Sequence, residues 1–134
     1  MNYEFEYLIG ERNGKGKEYD DDGILEFEGE DLNGKISGKV KKYSEGKLIF
    51  EGEYLYDYKL KGKEYINEKL EYEGEYLYNK KSNGKGYDEL GNIIYELKNG
   101  NGKVKEYSYG KLIFIGEYLN GKRNGKGKEY YEVN

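Results

Sequence analysis

A chain of 134 residues that is 35% hydrophobic and 37% charged, with a net charge of −4 and neither His nor Cys, cannot build a disulfide framework or the usual zinc, haem and thiolate sites. Its charge offers no general attraction to nucleic acid or anionic lipid, and no apolar run approaches the roughly 20 residues that span a bilayer as a helix. The apolar fraction falls below the roughly 45–50% usual in soluble domains, as in disordered chains. The 18 Tyr point the other way, since each ring buries on the order of 150–250 Å². A thin sheet with one aromatic face satisfies both facts.

The opening stretch MNYEFEYLIGERNGK is acidic before it is basic. It predicts neither a signal peptide nor an anchor, and a cytoplasmic protein is expected. The first strand signal, Phe5-Glu6-Tyr7-Leu8, leads through Asn13-Gly14-Lys15-Gly16-Lys17 to Tyr19. A second unit opens at Phe27-Glu28-Gly29-Glu30, carries Asp31 where an aromatic is expected, and passes Asn33-Gly34 to close at Tyr43. The third opens at Phe50-Glu51-Gly52-Glu53 and closes at Tyr65, with Tyr56-Asp57-Tyr58-Lys59 in place of an Asn-Gly loop. The fourth runs from Tyr72-Glu73-Gly74-Glu75 past Asn83-Gly84 to Tyr87. The fifth, Tyr95-Glu96-Leu97 to Tyr107, is shortened and lacks the Gly-Glu step. The sixth runs from Phe114-Ile115-Gly116-Glu117 through Asn120-Gly121 and Asn124-Gly125 to Tyr130.

The closing tyrosines recur at steps of 24, 22, 22, 20 and 23 residues, a repeat period. Asn-Gly pairs within units, and Asp22-Gly23, Glu45-Gly46, Gly91-Asn92 and Tyr109-Gly110 between them, accept positive φ and mark turns. The prediction is an all-β fold: one array over 1–134, an elongated, twisted single-layer antiparallel meander of about six hairpins near 3–19, 25–43, 48–65, 70–87, 93–107 and 112–131.

Strand alternation places Leu48, Phe50, Gly52 and Tyr54 on one face and Ile49, Glu51 and Glu53 on the other, and likewise Leu70, Tyr72, Gly74 and Tyr76 against Glu71, Glu73 and Glu75. Glycines such as Gly84 and Gly86 leave a shelf on which a ring from the adjacent strand can lie. Lys rows are expected opposite Glu rows as cross-strand pairs.

The run Phe50-Glu51-Gly52-Glu53-Tyr54 and the run Gly116-Glu117-Tyr118-Leu119-Asn120-Gly121-Lys122-Arg123-Asn124-Gly125-Lys126-Gly127 resemble the MORN repeat, and the Lys-Glu-Tyr endings followed by a Gly turn are similar to its bacterial-type variant. The resemblance spans essentially the whole chain and departs at Asp31, at the Tyr56–Lys59 loop and in the fifth unit. It implies an elongated, curved single-layer sheet with an aromatic groove, acting as an interaction module, a dimer or scaffold organiser, a lipid binder or an antitoxin.

Chemistry is sparse. The Gly-rich runs join strand to strand, without the helix that a phosphate loop needs. Asp20-Asp21-Asp22-Gly23 lacks the later Glu of a calcium loop, and Ser37, Ser44, Ser82 and Ser108 have no His to activate them. No enzyme activity, cofactor or metal is expected. Lys15, Lys35, Lys59, Lys80, Lys81, Lys122 and Arg123 are expected along one basic edge, which a membrane-surface scaffold would use. The leading expectation is a module whose curved aromatic face, lined by Phe27, Phe50, Tyr54, Tyr72, Tyr76, Phe114 and Tyr118, binds a partner protein. The alternatives are an inhibitor (antitoxin, immunity protein or phage-borne blocker) that caps an effector, and the membrane scaffold. Terminal strands with open edges make a homodimer plausible; nucleic acid is disfavoured by the Glu rows.

Overall fold

The computed structural model describes the backbone at 2–8, 11–108 and 111–130, and side chains at 14–106, 111–123 and 127–130. Five of the six expected hairpins are paired, β1 (Asn2–Leu8) with β2 (Glu11–Tyr19), β3 (Leu25–Leu32) with β4 (Lys35–Ser44), β5 (Lys47–Leu55) with β6 (Tyr58–Ile66), β7 (Lys69–Leu77) with β8 (Lys80–Tyr87), and β11 (Lys111–Leu119) with β12 (Lys122–Glu129), while in the fifth unit β9 (Ile93–Leu97) and β10 (Gly102–Ser108) follow one another without forming a ladder. Neighbours in sequence are neighbours in space, all antiparallel, and the meander does not close into a barrel.

The meander is interrupted once. β1 to β9 form a nine-stranded sheet and β10 to β12 a three-stranded one. The break falls in the shortened fifth unit. Only five residues of β9 precede the turn at Asn99-Gly100, so a single bridge, Lys98 to Asn101, links the two sheets as strand pairing. The loop bonds to its neighbours instead: the Gly100 amide donates to the Ser82 carbonyl at 2.8 Å and the Gly121 amide to the Gly100 carbonyl at 2.9 Å.

Two-residue turns with both residues at positive φ set the register. Asn33-Gly34 and Asn120-Gly121 both adopt 52° and 78°. The same geometry is imposed on Tyr56-Asp57 (43°, 72°), Asn67-Glu68 (50°, 66°) and Tyr78-Asn79 (51°, 64°), where Tyr and Glu accept the left-handed region at a cost. Asn13-Gly14, Asn83-Gly84 and Asn124-Gly125, expected as turns, lie inside β2, β8 and β12. The fourth hairpin turns earlier, at Tyr78-Asn79, and Gly84 is needed opposite Gly74. The Tyr109-Gly110 turn lies outside the described residues. Between units, Asp20 and Asp88 build matching turns. The Oδ1 of Asp20 accepts the amides of Asp22 and Ile24 at 2.9 and 2.8 Å, and that of Asp88 accepts those of Leu90 and Asn92 at 3.0 and 2.9 Å.

Each strand pair carries a register shift, for example between Glu64 and Tyr65, where Tyr65 pairs with Leu70 while Glu64 pairs with Tyr72. Glu71 is the extra residue of that bulge, so strict alternation fails there. The equivalent Ile94 packs against the core.

Candidate interaction surfaces

The core occupies the ring-bearing face of the sheet. Phe27, Phe50, Tyr54, Tyr72, Tyr76, Tyr95, Val40, Leu97 and Val104 form one cluster. Phe50, Tyr72 and Phe114 fold over glycines of their own and the adjoining strand, Phe27 over Gly29 and Tyr95 over Gly86. A Cβ built on Gly62 would sit 2.6 Å from the Phe50 ring, and one on Gly127 2.8 Å from Phe114. The expected ring-on-glycine shelf is therefore present, and Gly recurs because nothing larger fits beneath the rings. Phe50 meets Tyr54 and Tyr76 edge-on at 5.8 and 6.1 Å, while Tyr72 meets Tyr76 edge-on at 5.6 Å and stacks on Tyr95 at 6.4 Å.

Cations close this layer from outside. The Lys59 Nζ lies 4.8 Å from the Phe50 ring centre and 5.3 Å from that of Tyr76. Lys81 lies 4.8 Å from Tyr72 and 5.9 Å from Tyr95, and the Arg123 guanidinium 4.2 Å from Phe114. Such contacts contribute about 0.5–2 kcal/mol each, more when desolvated. Carboxylates hold the cations. Glu64 accepts the Tyr76 hydroxyl at 2.8 Å and lies 3.8 and 3.7 Å from the Lys59 and Lys81 ammonium groups. Glu106 repeats the device, accepting the Tyr118 hydroxyl and an Arg123 Nη2 bond of 2.6 Å.

Burial governs the titration of this layer. It raises the Tyr54, Tyr72, Tyr76, Tyr95 and Tyr118 phenols, with Glu64 adding to the rise at Tyr76 and Glu106 at Tyr118. It also raises Glu71 and lowers Lys42. Burial alone would lower Lys81, but Glu64, Glu71 and Glu106 together hold its ammonium above the usual value. At Glu106 the cost of burial is outweighed by the Arg123 and Tyr118 hydrogen bonds, and the carboxyl titrates below its ordinary range.

These facts relocate two sequence expectations. Phe27, Phe50, Tyr54, Tyr72, Tyr76 and Phe114 are 0–6% exposed, and Tyr118 is half-buried against the cluster. All but Phe114 share that cluster, and Phe50, Tyr54, Tyr72, Tyr76 and Phe114 are covered by the chain's own cations, so these side chains form the core and not an open surface. Lys59, Lys81 and Arg123 leave the supposed basic edge to cover rings. Their role is visible in spacing once sought: each follows its ring by nine residues, Phe50 to Lys59, Tyr72 to Lys81 and Phe114 to Arg123. In the second unit that place holds Ile36, which packs on the core, and Asp31, in the Tyr54 place, is 4% exposed.

The hollow of the sheet lies on the opposite, charged face. A groove of about 1120 Å³ crosses β2 to β7, with the backbone of Gly16, Gly29, Val40, Gly52, Gly62 and Gly74 as floor and Lys and Glu side chains as walls. Alternate strands carry opposite charges in register: Lys41, Glu51, Lys63 and Glu73 pair in succession along one wall, and Lys39, Glu53, Lys61 and Glu75 along the other. The Lys61–Glu53 pair is loose, at 3.9 Å and with side chains 63% and 41% exposed. Tyr65 donates to Glu51 at 2.7 Å from beside this wall, and burial with that bond pushes its phenol up to about 12.

A third surface lies along the hairpin tips. Leu32, Leu55, Leu77 and Leu119, at equivalent strand ends, are exposed, as are Tyr56, Tyr58 and Tyr78. The Tyr58 and Tyr78 rings meet edge-on at 5.9 Å. Neither a protein-family model nor a curated protein matches the chain.

Proposed function

We propose that this chain is a non-enzymatic MORN-type hairpin array that binds another protein, and that its working surface is the charged groove across β2 to β7. The observation that carries this reading is the contrast between the faces. The rings are closed over by Lys59, Lys81 and Arg123, whereas a hollow of about 1120 Å³ stands open on the other side. A concave surface of this size lined by polar side chains is where binding sites concentrate. Pull-down from native lysate tests it, using the wild type, the groove variant Lys41→Gln/Lys63→Gln and the edge variant Tyr58→Ser, each confirmed folded. A specific partner retained by wild type and Tyr58→Ser and lost with the groove variant is expected; retention by the groove variant contradicts the reading.

The tip edge favours a second reading, a membrane-surface scaffold. Leu55, Leu77, Tyr56 and Tyr78 are 45–72% exposed beside the exposed Lys80, and apolar, aromatic and basic side chains in one line suit a headgroup boundary. Co-sedimentation with anionic but not neutral vesicles at low salt supports it, and no binding to either removes it.

A further inference from the structure

The groove's dimensions and charge order select among protein ligands, an inference that rests on the protein-binding reading above. Six strands at about 4.8 Å spacing make a trough about 24 Å long.

The charges run in bands across the trough: Lys on β2, β4 and β6, Glu on β3, β5 and β7. Bands of one sign therefore recur about every 9.5 Å. A polyproline II chain rises about 3.1 Å per residue with three residues per turn, so every third residue faces the same way at about 9.3 Å intervals. We infer that the groove receives an extended, polyproline II-like segment of a partner protein that carries an acidic residue at every third position and a basic residue interleaved at the same period. The acidic row faces Lys41 and Lys63 on one wall, and the basic row faces Glu53 and Glu75 on the other. The Lys61–Glu53 pair of the groove is exposed and loose; a pair of that kind is worth about 0–1 kcal/mol and exchanges readily for ligand charges. Because the bands cancel, a polymer of one sign, whether nucleic acid or an anionic membrane, gains as much repulsion as attraction.

The test is fluorescence anisotropy with labelled synthetic 12-residue peptides on the full chain: four copies of Glu-Lys-Pro against a block peptide of identical composition, with all Glu, all Lys and all Pro grouped. The repeat peptide is expected to bind at least about tenfold more tightly than the block peptide, to weaken with added salt, and to lose about tenfold on Lys41→Gln/Lys63→Gln, whose melting and circular dichroism stay at wild-type values. Should that variant fail to fold, Glu53→Gln/Glu75→Gln on the other wall carries the same expectation. Equal binding of the two peptides, or no binding of the repeat peptide, overturns the inference. If the lysate partner is still captured through the groove in that case, the protein-binding reading stands and only the periodicity fails; loss of both removes both.

Discussion

In β5 to β8 the residues beneath the rings are glycines facing glycines: Gly52 opposite Gly62 and Gly74 opposite Gly84, roofed by Phe50 and Tyr72. Around β9 and β10 the same row holds side chains, with Leu97 opposite Gly84 and Val104 opposite Gly116, both almost wholly buried. The first region keeps its strands paired in one unbroken sheet. In the second, Leu97 and Val104 fill the row beside the Tyr95 and Phe114 rings, the chain turns after five residues of β9, and the sheet divides. Two neighbouring units thus reach similar burial by different means, and because Val40 fills the same row opposite Gly29 and Gly52 inside the unbroken nine-stranded sheet, the division goes with the shortened β9 and its early turn.

Removing the roof should break the first region most severely. Tyr72→Ala leaves its glycine shelf uncovered and should cost about 3–5 kcal/mol, while Leu97→Ala in the second should cost about 2–5, both read from urea unfolding midpoints. Filling the floor comes next. Gly62→Ala meets the Phe50 ring and the Glu51 carbonyl and should cost about 1–3 kcal/mol, whereas Gly34→Asn at an open turn position, where a Cβ meets nothing within 4 Å, should cost less.

Acid separates the charged groups joining the regions. Glu106 titrates below its ordinary range, so its contribution is full above about 4.5 and is lost as pH falls through its folded value. Glu71 titrates above its ordinary range, so its contribution is full below about 4.5 and is lost as pH rises through its folded value. Denaturant midpoints at pH 7 should therefore fall for Glu106→Gln and hold or rise for Glu71→Gln, with the two variants converging in acid. The smallest effect belongs to a turn. Glu68→Gly relieves a positive φ of 66° and should stabilise by about 0.5–1 kcal/mol, narrowing the gap to the Asn-Gly hairpins.

The number of units, the antiparallel order and the shortened fifth unit were all legible in the sequence, because spacing and turn residues are local signals. So was the pairing of Lys with Glu rows, which follows from alternation. The direction of curvature was not. Parity separates two faces without saying which becomes hollow, and the aromatic face was expected to hold the groove that the charged face forms. The covering of the rings was hidden for a different reason. Lys59, Lys81 and Arg123 have the same chemistry as the edge lysines, and only the register that sets them over Phe50, Tyr72 and Phe114 distinguishes them. Bulges hid Glu71 and Ile94, since one extra residue defeats period-two reading.

The central claim, that the rings are interior and closed over by the chain itself, is tested most directly by a tyrosine titration followed by site-assigned ¹³Cζ NMR. Tyr54, Tyr72, Tyr76, Tyr95 and Tyr118 should stay protonated beyond the ordinary phenol value of about 10, ionising only with alkaline unfolding. Ionisation of these five near 10, with the fold intact, would contradict the account.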